Sequence, residues 1–85
     1  GGEEFVVLLP HITEEEAFRL AERIRKTMEK EPTPANRVIT LSLGIAVSPQ
    51  HGSEPDLLFR RADEALYAAK ESGRNRTKIA APPKD

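Results

Sequence analysis

The order of apolar and polar positions predicts that strands and helices alternate along this chain. Residues 5–9 form a short apolar run that ends at Pro10. The shortness of the run and its β-branched and aromatic side chains favour a strand over a helix. Because the run is apolar at successive positions, and therefore on both faces, we expect this strand to lie in the middle of a sheet.

The next segment carries the signals of a helix start. Thr13 and Glu16 match a capping box, in which the threonine hydroxyl accepts a backbone N–H and the glutamate reaches back. The acidic residues 14–16 also suit the positive end of a helix dipole. Pro32 cannot continue a helix, so the sequence predicts that this one ends near Lys30. The stripe expected to face the core consists of Ala17, Leu20, Ala21, Ile24 and Met28.

Residues 38–47 alternate between two kinds of side chain, which predicts a second strand with two different faces. One face carries larger apolar residues, namely Ile39, Leu41, Leu43, Ile45 and Val47. The other face carries small residues, namely Thr40, Ser42, Gly44 and Ala46. A small face allows close approach, and we expect a helix to pack against it.

A second helix and a short third strand complete the pattern. Ser53 with Pro55 soon after it is typical of a helix start, and Gly73 is a natural helix end. Residues 77–80 are predicted as the last strand. The order of strand, helix, strand, helix and strand is typical of a layered α/β fold. The apolar stripe of the second helix consists of Leu58, Ala62, Ala65, Leu66 and Ala69.

The composition of the chain narrows the partners and the cellular location that we expect for it. The chain has 85 residues with 13 basic and 14 acidic side chains, so its formal net charge is −1. This balance gives no electrostatic reason to expect nucleic acid as a partner. Cysteine is absent, which fits a cytoplasmic location. No apolar run approaches the ~20 residues that span a bilayer, so we expect no membrane contact from this segment.

The first candidate for chemistry is the segment that precedes the first predicted strand. Gly1 and Gly2 allow a tight turn and close approach of a ligand to the backbone. Glu3 and Glu4 place two carboxylates at the tip of this turn, and such oxygen ligands suit Mg²⁺ or Mn²⁺ beside substrate phosphates. On these residues alone, an ordinary polar turn remains the alternative.

The second candidate is a basic cluster at the end of the second helix. Lys70, Arg74 and Arg76 could simply complement the negative end of the helix dipole. They could also hold phosphate groups, since Lys70 and Arg74 are spaced by one helical turn. Both interpretations stay open on the spacing alone.

Together these segments resemble the GGDEF family of diguanylate cyclases. Residues 1–5 match the signature loop of the family in its GGEEF form, and residues 61–75 look like its characteristic last helix. Residues 40–46 are similar to its central strand. The similarity runs in order from residue 1 to about residue 80, which we take as the C-terminal part of one domain. Residues 81–85 are expected to form a flexible tail.

The resemblance implies a fold and a reaction. The implied fold is a nucleotidyl-cyclase or ferredoxin-like α/β sheet with flanking helices. The implied reaction joins two GTP molecules, bound by two facing domains of a homodimer, into cyclic di-GMP with release of pyrophosphate. Glu3 then matches the position that binds the divalent metal and is proposed to help deprotonate the ribose hydroxyl. Lys70 and Arg74 match basic positions that reach the β- and γ-phosphates.

The remaining matched positions have supporting or regulatory roles by the same resemblance. Gly1 and Gly2 would leave room for the nucleotide, and Glu4 is the next signature acid, with support of the loop as its main expected role. Arg23 falls where some family members place an arginine of a product-binding inhibitory site. An ordinary solvated helix position is the favoured alternative for Arg23.

The resemblance also implies an earlier segment that supplies another metal-binding aspartate, phosphate contacts and the guanine-binding residues. We read Gly1 as a cut edge and expect the 85 residues alone to be inactive. Two other functions are considered. One is a non-catalytic module that binds GTP or cyclic di-GMP as a sensor, and the other is a structural piece that pairs its strand with another copy. The intact Glu3 and Lys70 favour the enzyme.

Overall fold

A computed structural model describes residues 2–31, 33 and 37–81, with residues 3 and 6–10 described by their backbone alone. Strands and helices alternate along it, which confirms the predicted α/β class. The elements are β1 (Gly2–Pro10), α1 (Glu14–Lys30), β2 (Thr40–Ser48), α2 (Pro55–Glu71) and β3 (Thr77–Ile79).

The described strands form a parallel sheet in the order β1-β2-β3. Gly2 lies opposite Thr40, and Leu43 lies opposite Thr77. The expectation that β1 is central is wrong among these strands, because β2 pairs with both others and carries a helix on each face. Phe5 of β1 is 51% exposed. β2 also begins two residues later than predicted, and Val38 before it is exposed.

The two faces of β2 pack against different helices, as their side chains predict. On one face, Ala17 and Ala21 of α1 join the larger apolar residues of β2. On the other face, Ala62 of α2 packs with Ala46. A Cβ atom added to Gly44 would lie 2.2 Å from the Ala62 carbonyl oxygen, so the helix backbone rests directly on the strand. The larger apolar residues in the first cluster are Leu41, Leu43, Ile45 and Val47.

Helix α1 begins with the predicted capping box and ends at Lys30 as predicted. Thr13 Oγ1 accepts the Glu16 N–H at 3.1 Å, and Glu16 Oε1 accepts the Thr13 N–H at 3.2 Å. The predicted apolar stripe is partly wrong, because Leu20 is 40% exposed and Ile24 is 47% exposed. Leu20 precedes the buried Ala21 by one position, about 100° around the helix, which turns it away from the sheet.

Helix α2 buries all five residues of its predicted stripe and packs on all three described strands. It begins at Pro55 after Glu54, and it ends with a Schellman motif around Gly73. In that motif the Arg74 N–H donates to the Ala69 carbonyl at 2.9 Å. Within the part of the chain that the structure describes, neither helix has the length and apolar character needed to cross a membrane.

Candidate functional site

The structure brings one residue of each candidate cluster into contact. Lys70 Nζ, in the last turn of α2, lies 3.1 Å from Glu4 Oε1 on β1. Glu4 lies opposite Ser42 in the parallel ladder, so its side chain is on the sheet face that α2 covers. The Glu4 and Lys70 side chains are 44% and 32% exposed, which leaves both groups open to solvent. We call this contact the Glu4–Lys70 pair.

The signature acids lie within a strand. Glu3 and Glu4 were predicted at the tip of a turn, but both belong to β1, where Glu3 lies opposite Leu41. Gly2 is the first residue of β1, opposite Thr40. Because Gly2, Glu3 and Glu4 pair with β2, their backbone has the extended conformation of a strand. Gly1 and the side chain of Glu3 lie outside the described residues, so their predicted roles stay predictions.

Arg74 lies in the turn that follows α2. The expectation that it lies one helical turn beyond Lys70 is wrong, because α2 ends at Glu71. Gly73, Arg74 and Asn75 then follow with φ values of 123°, 60° and 49°. The Arg74 backbone folds against the last turn of α2, close to the Lys70 carbonyl that accepts the Gly73 N–H at 3.3 Å. The Arg74 side chain is exposed.

Arg76 braces this turn. Its Nε donates to the Arg74 carbonyl oxygen at 3.0 Å. Its Nη2 would lie 2.7 Å from a Cβ atom added to Gly73, so the guanidinium lies across the glycine. Arg76 is one member of the basic cluster predicted from the sequence, and its role in the structure is to stabilise this turn.

Asn75 is a residue that the sequence analysis missed. Its N–H donates to Ser42 Oγ at 3.1 Å, and its Nδ2 donates to Glu29 Oε2 at 2.7 Å. Arg25 Nη1 donates to Asn75 Oδ1 at 2.8 Å and to the Asn75 carbonyl oxygen at 3.3 Å. Asn75 thus joins the turn after α2 to β2 and to α1. Asparagine tolerates positive φ, and that was the one signal available in the sequence.

Arg25 is itself held by a two-point contact with Glu22. Its Nε and Nη2 lie 2.7 and 2.8 Å from the two carboxylate oxygens of Glu22. This contact lowers the pKa of Glu22 and raises the pKa of Arg25, because each charge favours the other. On the exposed start of α1, hydrogen bonds from Thr13 similarly lower the pKa of Glu16.

Comparison with known proteins identifies the family. The model of the family described as "Diguanylate cyclase, GGDEF domain" matches residues 1–76. The chain belongs to the GGDEF family. The predicted family is confirmed.

Named relatives of this GGDEF chain come from several bacteria. It is 48% identical over 80 residues to the uncharacterized protein YhcK of Bacillus subtilis, a match that covers 89% of this chain and 22% of that protein. It is 44% identical over 80 residues to the response regulator PleD of Caulobacter vibrioides, covering 88% and 18%. It is 44% identical over 84 residues to the probable diguanylate cyclase DgcT of Escherichia coli, covering 93% and 19%. The chain thus spans about a fifth of the length of these relatives. No solved structure matches it significantly.

The GGDEF chain carries donors that suit a divalent metal. Glu4 presents a partly exposed carboxylate on β1, and Mg²⁺ accepts one or two carboxylates when substrate phosphates complete its ligands. Within the described residues there is no group of three or more histidine, cysteine, aspartate or glutamate side chains that could hold a metal. The described residues alone therefore form no complete metal site, and a metal at Glu4 would need further ligands such as phosphate oxygens.

Arg23 lies on a different surface of the GGDEF chain, along α1. Its side chain is exposed on the surface of α1, and its carbonyl oxygen accepts the Thr27 hydroxyl at 2.8 Å. This position suits both alternatives raised by the sequence. The inhibitory role of Arg23 stays a prediction.

His51 is a second residue that the sequence analysis missed, and it stabilises the fold. Its side chain is 1% exposed, and its Nδ1 accepts the Val47 N–H at 2.9 Å. Since Nδ1 is an acceptor, Nε2 carries the proton and donates to Glu14 Oε1 at 2.5 Å. His51 therefore links the loop after β2 to the first turn of α1.

Proposed function

We propose that this chain contributes the signature strand and the phosphate-binding side chains of a diguanylate cyclase. The enzyme joins two GTP molecules into cyclic di-GMP, with pyrophosphate as the leaving group. The Glu4–Lys70 pair carries the proposal, because it brings a signature acid and a basic residue to one place in a GGDEF chain. Relatives named as diguanylate cyclases support the same reaction.

The acidic part of the proposed site serves the metal and the attacking hydroxyl. Glu3 holds Mg²⁺ or Mn²⁺ and assists deprotonation of the ribose 3′-hydroxyl. The bound metal supplies charge stabilisation at the transferring phosphate. Gly1 and Gly2 leave room for the nucleotide, and Glu4 holds Lys70 through the 3.1 Å contact until a phosphate group replaces it.

The basic part of the proposed site binds the leaving group. Lys70 and Arg74 hold the β- and γ-phosphates and so stabilise the charge that develops on pyrophosphate. The C-terminal end of a helix repels anions, so the side chains provide this binding in place of the helix backbone. Lys70 is partly exposed and can exchange its contact with Glu4 for a phosphate oxygen.

The reaction needs two nucleotides, and this sets the proposed partners. One GTP is held by this domain and the second by another GGDEF domain, most simply in a homodimer. Nucleic acid and membrane are not proposed as partners of this segment, and the cytoplasm, where GTP is available, is the proposed location. Because the chain spans about a fifth of its relatives, we propose that the 85 residues alone do not turn over GTP.

The test uses the protein in which this chain occurs, incubated with GTP and Mg²⁺, and measures cyclic di-GMP by mass spectrometry. Glu3→Gln removes the proposed metal ligand and should lower the rate about 100-fold or more, since metal contacts contribute several kcal/mol to such reactions. Glu15→Gln is the matched control, because Glu15 lies exposed on α1, and it should retain activity. The 85 residues are assayed in parallel.

Each outcome separates one function from another. Product that depends on Glu3 supports the cyclase. Binding of GTP or cyclic di-GMP without product would instead indicate the sensor module. Product from the 85 residues alone, lost in Glu3→Gln, would show that the proposed inactivity of this segment is wrong.

A further inference from the structure

The turn that carries Arg74 has an unusual backbone. Arg74 and Asn75 are successive non-glycine residues with φ values of 60° and 49°. A residue with a Cβ atom avoids this region unless the surrounding structure holds it there. The hydrogen bonds that hold the turn therefore also decide where Arg74 lies.

Asn75 provides those hydrogen bonds. All of its polar groups are used, because its N–H reaches Ser42 of β2 while its carbonyl and side chain reach α1. Arg25 bonds both Asn75 oxygens, and Glu29 accepts the Asn75 amide N–H at 2.7 Å. One residue thus fixes the turn against two separate elements.

Arg25, which bonds Asn75 from α1, is itself held in place by Glu22. The side chains of Arg25 and Glu22 are 12% and 21% exposed, and Glu22 binds Arg25 at two points. Paired hydrogen bonds between a guanidinium and a carboxylate fix orientation as well as distance. Arg25 therefore presents its Nη1 to Asn75 in a fixed direction.

We propose that Asn75 is a positioning residue for Arg74. It fixes the left-handed turn through Arg25, Glu29 and Ser42, and so sets the backbone position from which the exposed Arg74 side chain can bind a diphosphate group together with Lys70. Asn75 acts through Arg74 and does not itself bind phosphate. This inference rests on the proposed phosphate-binding role of Arg74.

A double-mutant cycle tests the inference by measuring the affinity of the protein for inorganic pyrophosphate by calorimetry. The variants are Arg74→Ala, Asn75→Ala and the two changes combined. Asn75→Ala should weaken binding roughly 2- to 10-fold, the cost of ordering one long side chain on binding. In the Arg74→Ala background, the same change should have no further effect, because Asn75 acts through Arg74.

Two further variants separate an effect on pyrophosphate binding from an effect on folding. Asn75→Gly adopts positive φ without strain and should still weaken binding, because it lacks the contacts of the side chain with α1. Gln50→Ala removes an exposed amide from the loop after β2 and should leave the affinity unchanged. Thermal melts followed by circular dichroism identify any variant that is unfolded, and Asn75→Gly then replaces Asn75→Ala in the cycle.

The outcomes distinguish this inference from the proposed function. If Arg74→Ala weakens binding and the Asn75 variants bind like the wild type, the inference is wrong and the role of Arg74 stands. Additive effects in the cycle would also overturn it, since Asn75 would then act independently of Arg74. If the wild type does not bind pyrophosphate, or Arg74→Ala has no effect, both the inference and the phosphate role of Arg74 are wrong.

Discussion

Lys70 Nζ lies 3.1 Å from Glu4 Oε1, so the last turn of α2 is tied to the second acid of the GGEEF signature. Both groups are partly exposed, and ion pairs of this kind contribute at most about 1 kcal/mol to stability. The contact has a larger consequence for binding, because an incoming anion must compete with the Glu4 carboxylate for the Lys70 ammonium group.

Glu4→Gln should therefore strengthen the binding of pyrophosphate in the absence of metal. We expect roughly a threefold gain in affinity by calorimetry and a loss of no more than about 1 kcal/mol in the free energy of unfolding. Lys70→Ala should weaken binding. Glu64→Gln removes a carboxylate 3.7 Å from Arg61 and is the control. Weaker binding in Glu4→Gln would show that Glu4 supports phosphate binding directly.

Gly44→Ala should destabilise the fold strongly. The added Cβ would lie 2.2 Å from the Ala62 carbonyl oxygen and 2.4 Å from the Leu66 nitrogen, and helix backbone atoms cannot move aside alone. We expect a loss of roughly 3 kcal/mol in urea unfolding. Ala62→Gly in the same chain should give no rescue, since it leaves the clashing carbonyl in place. A rescue would mean that the clash is with the side chain.

Two threonines of the same helical segment should respond in opposite ways to alanine. Thr13→Ala removes the cap of α1 and should cost about 1 kcal/mol of stability. Thr27→Ala removes a hydroxyl that bonds back to the Arg23 carbonyl within the helix, and it should be neutral or slightly stabilising. Thermal unfolding of both variants gives the comparison, and equal losses would argue against a specific capping role for Thr13.

The contact between Glu22 and Arg25 should make stability depend on pH on the acid side. The folded pKa of Glu22 is lowered from 4.5, so its contribution is fully present above that value and is lost as the pH falls through the folded pKa. Glu22→Gln should cost about 1 kcal/mol at neutral pH and progressively less in acid.

The measurement for Glu22 is urea unfolding between about pH 3 and pH 7. Asp63→Asn is its control, since Asp63 lies exposed in the interior of α2, away from either helix end, and the variant should stay close to the wild type throughout. A Glu22→Gln deficit that stays constant down to pH 3 would contradict the assignment.

Features that depend on neighbouring residues could be predicted from the sequence. Three such features each depend on residues that are only a few positions apart. They are the capping box at Thr13, the helix end at Gly73 and the small face around Gly44. The buried stripe of α2 was predicted completely, because each of its residues faces a sheet that covers the helix along its length. The GGEEF signature and the last helix sufficed to indicate the family.

Features that depend on distant parts of the chain could not be predicted in this way. Asn75 bonds partners 33, 46 and 50 residues away, and no local pattern carries that information. The exposure of Leu20 depends on which side of α1 meets the sheet. The place of β1 beside β2, at one side of the three described strands, likewise depends on how the strands are ordered in space. The sequence therefore indicated candidate residues for a site but not their arrangement in space.

The close contact at Gly44 also sets the distance between α2 and β2. Because Gly44 has no side chain, the Ala62 carbonyl can lie close to the strand, and α2 packs at a short distance from β2. Lys70 follows Ala62 by eight residues in the same helix, about 12 Å further along the axis. The absence of a side chain at Gly44 thus helps to place the end of α2 where the Lys70 ammonium group contacts Glu4.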